Sequence, residues 1–412
     1  MKRGEIYDIV YDNLFSTYFD HLPPGIQRVY FKPAFWQKLH AVFKAVLYDI
    51  QQSLSWKSPP EPAVGKIWIV VDAINNLQSV EYILARTTDF ELVTTSLSLP
   101  HSQPQVKYLP SGFRFRFLFS MLIYVIRNKD RVRNRWDFFM QECGWYELAL
   151  NQLRKYKPTS ILFTNDHTPV NRAKMLAAKK MGIKTGYVQH ACVRDDFGEL
   201  LVDFAFLDGQ DSVDKYARHI KKFDCKMFLI GMPRFTPFLS LRKSRSAIKV
   251  IGLAYNTTDS IQEIDSLVAK LSGYEVIIRP HPKDSRKPND QANIKLSDST
   301  KENVAHFIKN IDALVAGESA IHLEAILLNI PSFLYDFNSE SKIRDLYGFE
   351  RQGLVKRYTD STELLSAIES YSQNPFDVYM RAGYYNSMVG NSEESASDWL
   401  AFELIRSNLF LA

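Results

Sequence analysis

Cysteine is scarce in this chain. Only Cys143, Cys192 and Cys225 occur among 412 residues, far apart and never as Cys-x-x-Cys. That spacing argues against a disulfide framework and a thiolate zinc site, and it fits a reducing compartment. No run reaches the ~18 uninterrupted apolar residues of a membrane-crossing helix. The first residues, Met1-Lys2-Arg3-Gly4-Glu5, lack the apolar segment of a secretion signal, so a cytoplasmic protein is expected. No repeat of fixed period runs through the chain. There is no Asp-x-Asp, the pair that often holds a divalent cation on a diphosphate at a strand end. Asp195-Asp196 comes nearest and reads as a solvated loop. Charge of one sign is not in large excess. The 51 Lys and Arg against 46 Asp and Glu leave +5, too little to imply a nucleic-acid partner.

What is present is a core and a rhythm. Hydrophobic residues make up 46% of the chain, and its length allows two domains of ordinary size. Residues 33–54 read as a long helix, with Phe35, Leu39, Val42, Phe43, Val46 and Ile50 at helical spacing. A proline-rich loop over 55–65 precedes a buried strand from Lys66 to Asp72, and another strand is expected at 91–95. Residues 96–111 look irregular. From 159 the pattern is regular: strands at 160–164, 184–189, 203–207 and 227–230 alternate with helices at 169–181 and 211–221. A second series gives strands at 247–253, 274–279, 293–296, 312–316 and 332–335, with helices at 259–271, 301–309 and 319–329. Helices at 361–373 and 394–408 close the chain. Such alternation predicts α/β architecture with two doubly wound, Rossmann-like halves facing across a cleft. The expected domains are 1–235 on the acceptor side, a linker at 236–247, and 248–390 for the donor. A C-terminal helix within 391–412 is expected to pack back on the first domain. Ligands of such sheets sit beyond the carboxyl ends of the strands.

Two segments at strand ends suit an anion. Val276-Ile277-Ile278 runs into Arg279-Pro280-His281-Pro282-Lys283. A residue before proline is forced out of the α region, and residues two apart in an extended chain share a side. Arg279, His281 and Lys283 are therefore expected on one short basic face, matched to phosphate oxygens. The second segment follows the strand at 312–316. Gly317 allows a tight turn, Ser319 offers a hydroxyl, and the helix start offers unpaired N–H groups. Glu324 is placed to accept from a ribose hydroxyl. Ser319 as a plain cap and Glu324 as a solvated residue fit the same pattern, and His322 reads as a packing residue.

Two further strand ends carry histidines: Thr164-Asn165-Asp166-His167-Thr168 and Tyr187-Val188-Gln189-His190-Ala191. His190 is a candidate general base. Asp166 is a candidate base too, or orients a neighbouring histidine such as His167; as an alternative it caps the next helix.

The ordered set QHA (189–191), GMPR (231–234), RPHP (279–282) and GESAIHLEAILLNIPSFLYD (317–336) resembles bacterial surface-polysaccharide transferases of GT-B fold. The similar groups are the CDP-glycerol glycerophosphotransferases and the capsule or lipopolysaccharide sialyl- and Kdo-transferases. The resemblance covers about residues 158–336. It implies a base at His190 and donor-phosphate contacts at Arg279, His281 and Ser319. Departures are specific: Gln189 stands for the family Trp, Ala191 for Gly and Ala320 for a second Ser. A paired acidic motif is half present, as Leu207-Asp208-Gly209. The implied function is a metal-independent, inverting glycosyltransferase that needs no cofactor and uses a nucleotide-activated donor, with a CMP-sugar favoured. Its acceptor would be a glycan or a lipid-linked glycan. A glycerophosphotransferase, an enzyme like UDP-N-acetylglucosamine 2-epimerase, or a non-catalytic capsule scaffold are the alternatives.

Residues 113–139 hold seven Arg or Lys against Asp130 and Asp137, interleaved with Phe113, Phe115, Phe117, Phe119, Ile123 and Ile126. The stretch suits peripheral contact with the inner face of a cytoplasmic membrane. It equally suits a core helix with a basic solvated face.

Overall fold

The computed structural model describes every residue except 1–2, 16–33, 54–59, 97–98, 100–101, 111–114, 116, 133–134, 196, 220–222, 287, 290–293, 339–344 and 412. Two wholly parallel sheets organise these residues. The first has the order β3-β2-β1-β4-β5-β6-β7. Its strands are β1 (Ile67–Val70), β2 (Phe90–Thr94), β3 (Lys107–Tyr108), β4 (Ser160–Phe163), β5 (Lys184–Val188), β6 (Phe204–Leu207) and β7 (Lys226–Leu229). The second has the order β10-β9-β8-β11-β12-β13. It comprises β8 (Val250–Tyr255), β9 (Glu275–Pro280), β10 (Ile294–Leu296), β11 (Ala313–Ala316), β12 (Ser332–Tyr335) and β13 (Lys356–Tyr358). The helices used below are α1 (Phe35–Ser53), α2 (Leu118–Arg127), α3 (Trp136–Tyr156), α4 (Pro169–Lys180), α5 (Gln210–Ala217), α6 (Ile261–Lys270), α7 (Val304–Lys309), α8 (Ile321–Leu327), α9 (Ser361–Gln373) and α10 (Ser397–Ile405).

Strands covered on both faces need apolar residues at every position, and β1 shows it. Trp68 and Val70 join one core with Ile161, Phe163 and side chains of α3 and α4. Ile69 and Val71 point the other way, into a core completed by Leu162, Phe206 and Ala401, Phe402, Ile405 and Leu409. The C-terminal helix α10 therefore covers one face of the first sheet. The chain ahead of it also packs closely on the first half: a Cβ on Gly209 would lie 2.4 Å from the Tyr385 carbonyl carbon. The second sheet has its own core, built from β8, β9, β11 and β12 with α6, α7, α8 and α9.

Some elements differ from expectation. The 21-residue α3 was not anticipated, although Phe139, Cys143, Tyr146, Leu150 and Leu153 form its buried stripe at helical spacing. The short strand β13 (Lys-Arg-Tyr) carries no apolar run and is recruited only by pairing with β12. The irregular 96–111 contains β3, paired with β2. In α1 the apolar positions do not form one buried face. Val42 and Ala45 are buried, while Phe35, Leu39, Phe43 and Ile50 are exposed.

In each sheet the strand order reverses at one place, between β1 and β4 and between β8 and β11. Crevices beyond the strand ends at such switch points are where doubly wound sheets bind ligands.

Candidate active site

The loop after β4 is shaped by Asn165. Its Oδ1 accepts from the backbone N–H groups of His167 (3.2 Å) and Thr168 (3.1 Å), turning the chain into α4. This turn buries Asp166. Tyr216 donates its hydroxyl to Asp166 Oδ2 at 2.6 Å, and His167 Nδ1 lies 3.4 Å from Oδ1. Burial would raise the Asp166 pKa, but the bonds from His167 and Tyr216 and the nearby His190 outweigh it, so the carboxyl sits below its usual range. The His167 ring is partly exposed and stacks on Phe197 at 4.5 Å and on His190 at 5.9 Å. His190 follows β5. Its Nδ1 is buried without a hydrogen-bond partner. Burial pushes its pKa down to about 4 against the pull of Asp166, so the ring is neutral near pH 7. The structure thus brings Asp166, His167 and His190 together.

The switch point between β1 and β4 holds residues that the sequence reading missed. Asn171, buried on α4, donates to Asp72 Oδ2 at 2.6 Å and to the Asn165 carbonyl at 3.1 Å. Asp72 Oδ1, Thr168 Oγ1, Asn171 Oδ1 and Lys174 Nζ are buried without hydrogen-bond partners. Burial raises the Asp72 pKa, partly offset by Lys174. It lowers that of Lys174 to about 8, with Asp72 as the opposing charge. The available signal was a lysine among Ala173, Ala177 and Ala178 on the buried side of α4.

Three more strand ends are stitched by side chains. Arg234 donates to Asp208 Oδ1 (2.9 Å) and Oδ2 (2.6 Å) and to the Gln189 carbonyl (3.2 Å). Gln189 Oε1 accepts from the Asp208 N–H at 2.9 Å, and its Nε2 donates to the Ala191 carbonyl at 3.0 Å. The motif fragments at 189–191, 207–209 and 231–234 therefore form one buttress under the His190 loop.

On the second sheet, the 279–283 face is divided. Arg279 is buried, donating to Ser297 Oγ (2.7 Å) and the Glu302 carbonyl (2.8 Å) and lying over the Phe307 ring. His281 and Lys283 are exposed. His281 Nδ1 accepts from the Lys283 N–H at 3.1 Å, which leaves Nε2–H as an outward donor. Gly317 lies beside the β8–β11 switch. A Cβ there would sit 2.8 Å from Asp259 Oδ2, the carboxylate that receives the Asn256 N–H at 2.7 Å. Asn256 in turn donates to the Glu318 carbonyl at 2.9 Å. Ser319 precedes the capping residue Ala320, and its Oγ accepts from the Ile321 N–H at 3.4 Å. His322 is fully buried between Ser332 Oγ (2.7 Å) and the Gly317 carbonyl (2.9 Å), the packing role expected of it. Asn256 and Asp259 went unnoticed in the sequence because nothing marks a polar turn as lying beside a glycine 60 residues on.

Glu324 feels charges from both halves. It retains some solvent exposure on the inner side of α8, yet protein encloses it enough to push its pKa up to about 7, against Arg234 and Arg279. Cys192, two residues beyond His190, feels the same carboxyl. Direct bonds tie the halves beside it: Lys215 Nζ donates to the Tyr347 carbonyl at 2.9 Å, and Arg351 pairs with Asp195 at 2.9 Å. Among the described residues, no group of three His, Cys, Asp or Glu is placed to hold a metal ion.

Neither a protein-family model nor a curated protein matches the chain. Solved structures do. The chain is similar to the glycotransferase of kitacinnamycin (TM-score 0.55, 12% identity, 84% of this chain and 100% of that one). It is similar to UDP-GlcNAc 2-epimerase from Neisseria meningitidis, a structure bound to UDP-GlcNAc (TM-score 0.55, 14% identity, 83% and 100%). It is also similar to the wall teichoic acid polymerase TagF (TM-score 0.51, 13% identity, 90% and 98%). Together with the two parallel sheets, these likenesses show the fold: the chain has the two-domain GT-B architecture, as expected.

Proposed function

We propose that the protein is a glycosyltransferase that moves a sugar from a nucleotide-activated donor to a hydroxyl of a glycan acceptor, with inversion and without a metal ion. One observation carries this reading. Beside the histidine-bearing strand ends, Asp195 and Lys215 bond directly to Arg351 and to the Tyr347 carbonyl of the donor-side half. In this reading the histidines past β4 and β5 lie on one side of the junction between the halves, and the basic loop past β9 lies on the other.

The acceptor hydroxyl gives its proton to neutral His190, whose Nδ1 is unpartnered. Asp166 has both oxygens occupied by Tyr216 and His167, so it positions the histidine pair rather than taking the proton itself. The unpartnered oxygens of Asp72 and Asn171 suit further acceptor hydroxyls at the switch point. The acceptor oxygen attacks the donor carbon in line, and the bond to the leaving phosphate breaks. His281, Lys283 and Ser319 meet the developing phosphate charge. Arg279, with its donors engaged, adds positive charge at longer range and props the loop. Glu324 holds the nucleoside by a ribose hydroxyl. The motif resemblance favours a CMP-sugar donor and a capsule, lipopolysaccharide or related surface glycan as product.

The likeness to TagF keeps a second reading in view, attack on phosphorus with CDP-glycerol as donor. Thermal-shift measurements with CMP, CDP, UDP and GDP test both, since a ligand that binds only the folded state raises its midpoint. Product analysis with the nucleotide that binds then separates sugar from glycerophosphate transfer. Conversion of UDP-N-acetylglucosamine without an acceptor would instead mark an epimerase. No shift with any of the four would leave a scaffold.

A further inference from the structure

We propose that the donor-side half holds a second ligand site, a cavity at the amino ends of β12 and β13 that takes a small anion carrying a flat ring. The cavity has a volume of about 440 Å³. Small-molecule sites usually measure roughly 300–1,000 Å³. Ser332 opens β12, Lys356 opens β13, and both line the cavity. Segments 281–283 and 317–319 instead follow the carboxyl ends of β9 and β11. The cavity therefore lies at the opposite edge of the sheet from the donor segments.

The lining fixes the chemistry. Lys356 and Arg381 are exposed cations on its wall, and no Asp or Glu among the described residues lines it. Each cation rests on a ring rather than on a carboxylate. Lys356 Nζ is 5.2 Å from the centre of the Tyr358 ring, and the Arg381 guanidinium is 5.2 Å from that of Phe376. Elsewhere on this half Arg279, Arg286, Arg351 and Arg357 all pair with carboxylates. Asp377, next in the chain to Phe376, already accepts from Asn329 Nδ2 at 2.8 Å. A cation laid on an aromatic face keeps its N–H groups for another partner. The rim is fixed, because the Tyr371 hydroxyl donates to the Phe376 carbonyl at 2.8 Å and the two rings lie 5.1 Å apart. Phe376 is still 44% exposed, an aromatic surface open to a ligand ring. A bare anion would leave that surface uncovered, and a neutral ring would leave the two cations unmet.

Two routes tie the cavity to the 317–319 loop. His322 Nδ1 lies 2.7 Å from Ser332 Oγ, and its Nε2 lies 2.9 Å from the Gly317 carbonyl. Burial pushes the His322 pKa down to about 4, so the ring is neutral. A carbonyl can only accept, so Nε2 donates to Gly317 and Nδ1 accepts from the Ser332 hydroxyl. The second route is β13 itself. Alternate residues of a strand face opposite ways. Lys356 and Tyr358 line the cavity, while Arg357 between them pairs with Glu318. A ligand held by Lys356 and seated against Ser332 stiffens both supports of the loop that carries Ser319. Neither the cavity nor its ties to the loop depends on the transferase reading.

Calorimetric titration of the full chain with phenyl phosphate, inorganic phosphate and benzyl alcohol separates ring from charge. Phenyl phosphate should bind at least about tenfold more tightly than either of the others. Lys356→Ala/Arg381→Ala, at two exposed positions, should weaken it about tenfold or more with an unchanged melting temperature. His281→Ala, in the donor loop, should bind it as the wild type does. Saturating phenyl phosphate should slow backbone hydrogen exchange at 317–319 by about threefold or more, and less so in Ser332→Ala. Absence of phenyl phosphate binding overturns the site, as does inorganic phosphate that binds equally well. Wild-type binding by Lys356→Ala/Arg381→Ala, or loss of binding in His281→Ala, would also overturn it by placing the anion elsewhere. Slowed exchange confined to the cavity would overturn its tie to the loop.

Discussion

A neutral histidine with a pKa near 4 is a weak base that stays available over a wide pH range. If His190 accepts the acceptor's proton, the acid limb of the kcat/KM profile should fall at about pH 4, where the ring protonates. A limb near about pH 6.5, the ordinary histidine value, would move the role away from His190. Glu142 provides a stability test. It is fully buried with both oxygens unpartnered, and burial holds its pKa up to about 8 against Arg172. An unfolded carboxyl ionises at about 4.3. Between those values the native state holds a proton that the unfolded state has lost, so stability falls as pH rises from about 4.3 to about 8. Glu142→Gln should therefore stabilise by up to about 5 kcal/mol above pH 8 and little at pH 4, as read from urea melts. At this scale the sequence was partly legible. A histidine just past an apolar run announces itself, as His167 and His190 did. Asp72 and Lys174 did not, because only packing shows that a charge on α4 is buried and unpartnered.

At the scale of elements, the parallel sheets were readable because strands buried on both faces are continuous apolar runs. The junctions between them were not, since they rest on side chains meeting across many residues. Asp208 and Arg234 are 26 residues apart and hold β6 to the turn after β7. Asp208→Ala leaves a buried guanidinium unpaired and should cost about 3–5 kcal/mol in chemical denaturation. Gly317→Ala should weaken nucleotide binding severalfold, because its Cβ would press on Asp259 and shift the loop that carries Ser319. Calorimetric titration with the cognate nucleotide reads this directly. Unchanged affinity would separate that loop from the donor site. Phe402→Ala should cost about 3–5 kcal/mol, because α10 closes one face of the first sheet.

For the whole molecule, alternation of strands and helices was enough to foresee two doubly wound halves. Helical periodicity in α1 was equally clear, and the helix is there, yet most of the apolar residues it lines up are exposed. Periodicity reports which residues line up, not whether protein, lipid or water lies beside them. The contact between halves was out of reach of the sequence, because Lys215 meets the Tyr347 carbonyl, and Asp195 meets Arg351, only after both domains have folded. The central claim is that the two halves divide the work, donor phosphate at His281 and proton transfer at His190. The most direct measurement pairs thermal shift with turnover in two variants, using whichever of CMP, CDP, UDP or GDP stabilises the wild type. His281→Ala should abolish the nucleotide-induced rise in midpoint, while His190→Ala should keep that rise and lose turnover. The reverse pattern, or no rise with any nucleotide in the wild type, would contradict the division.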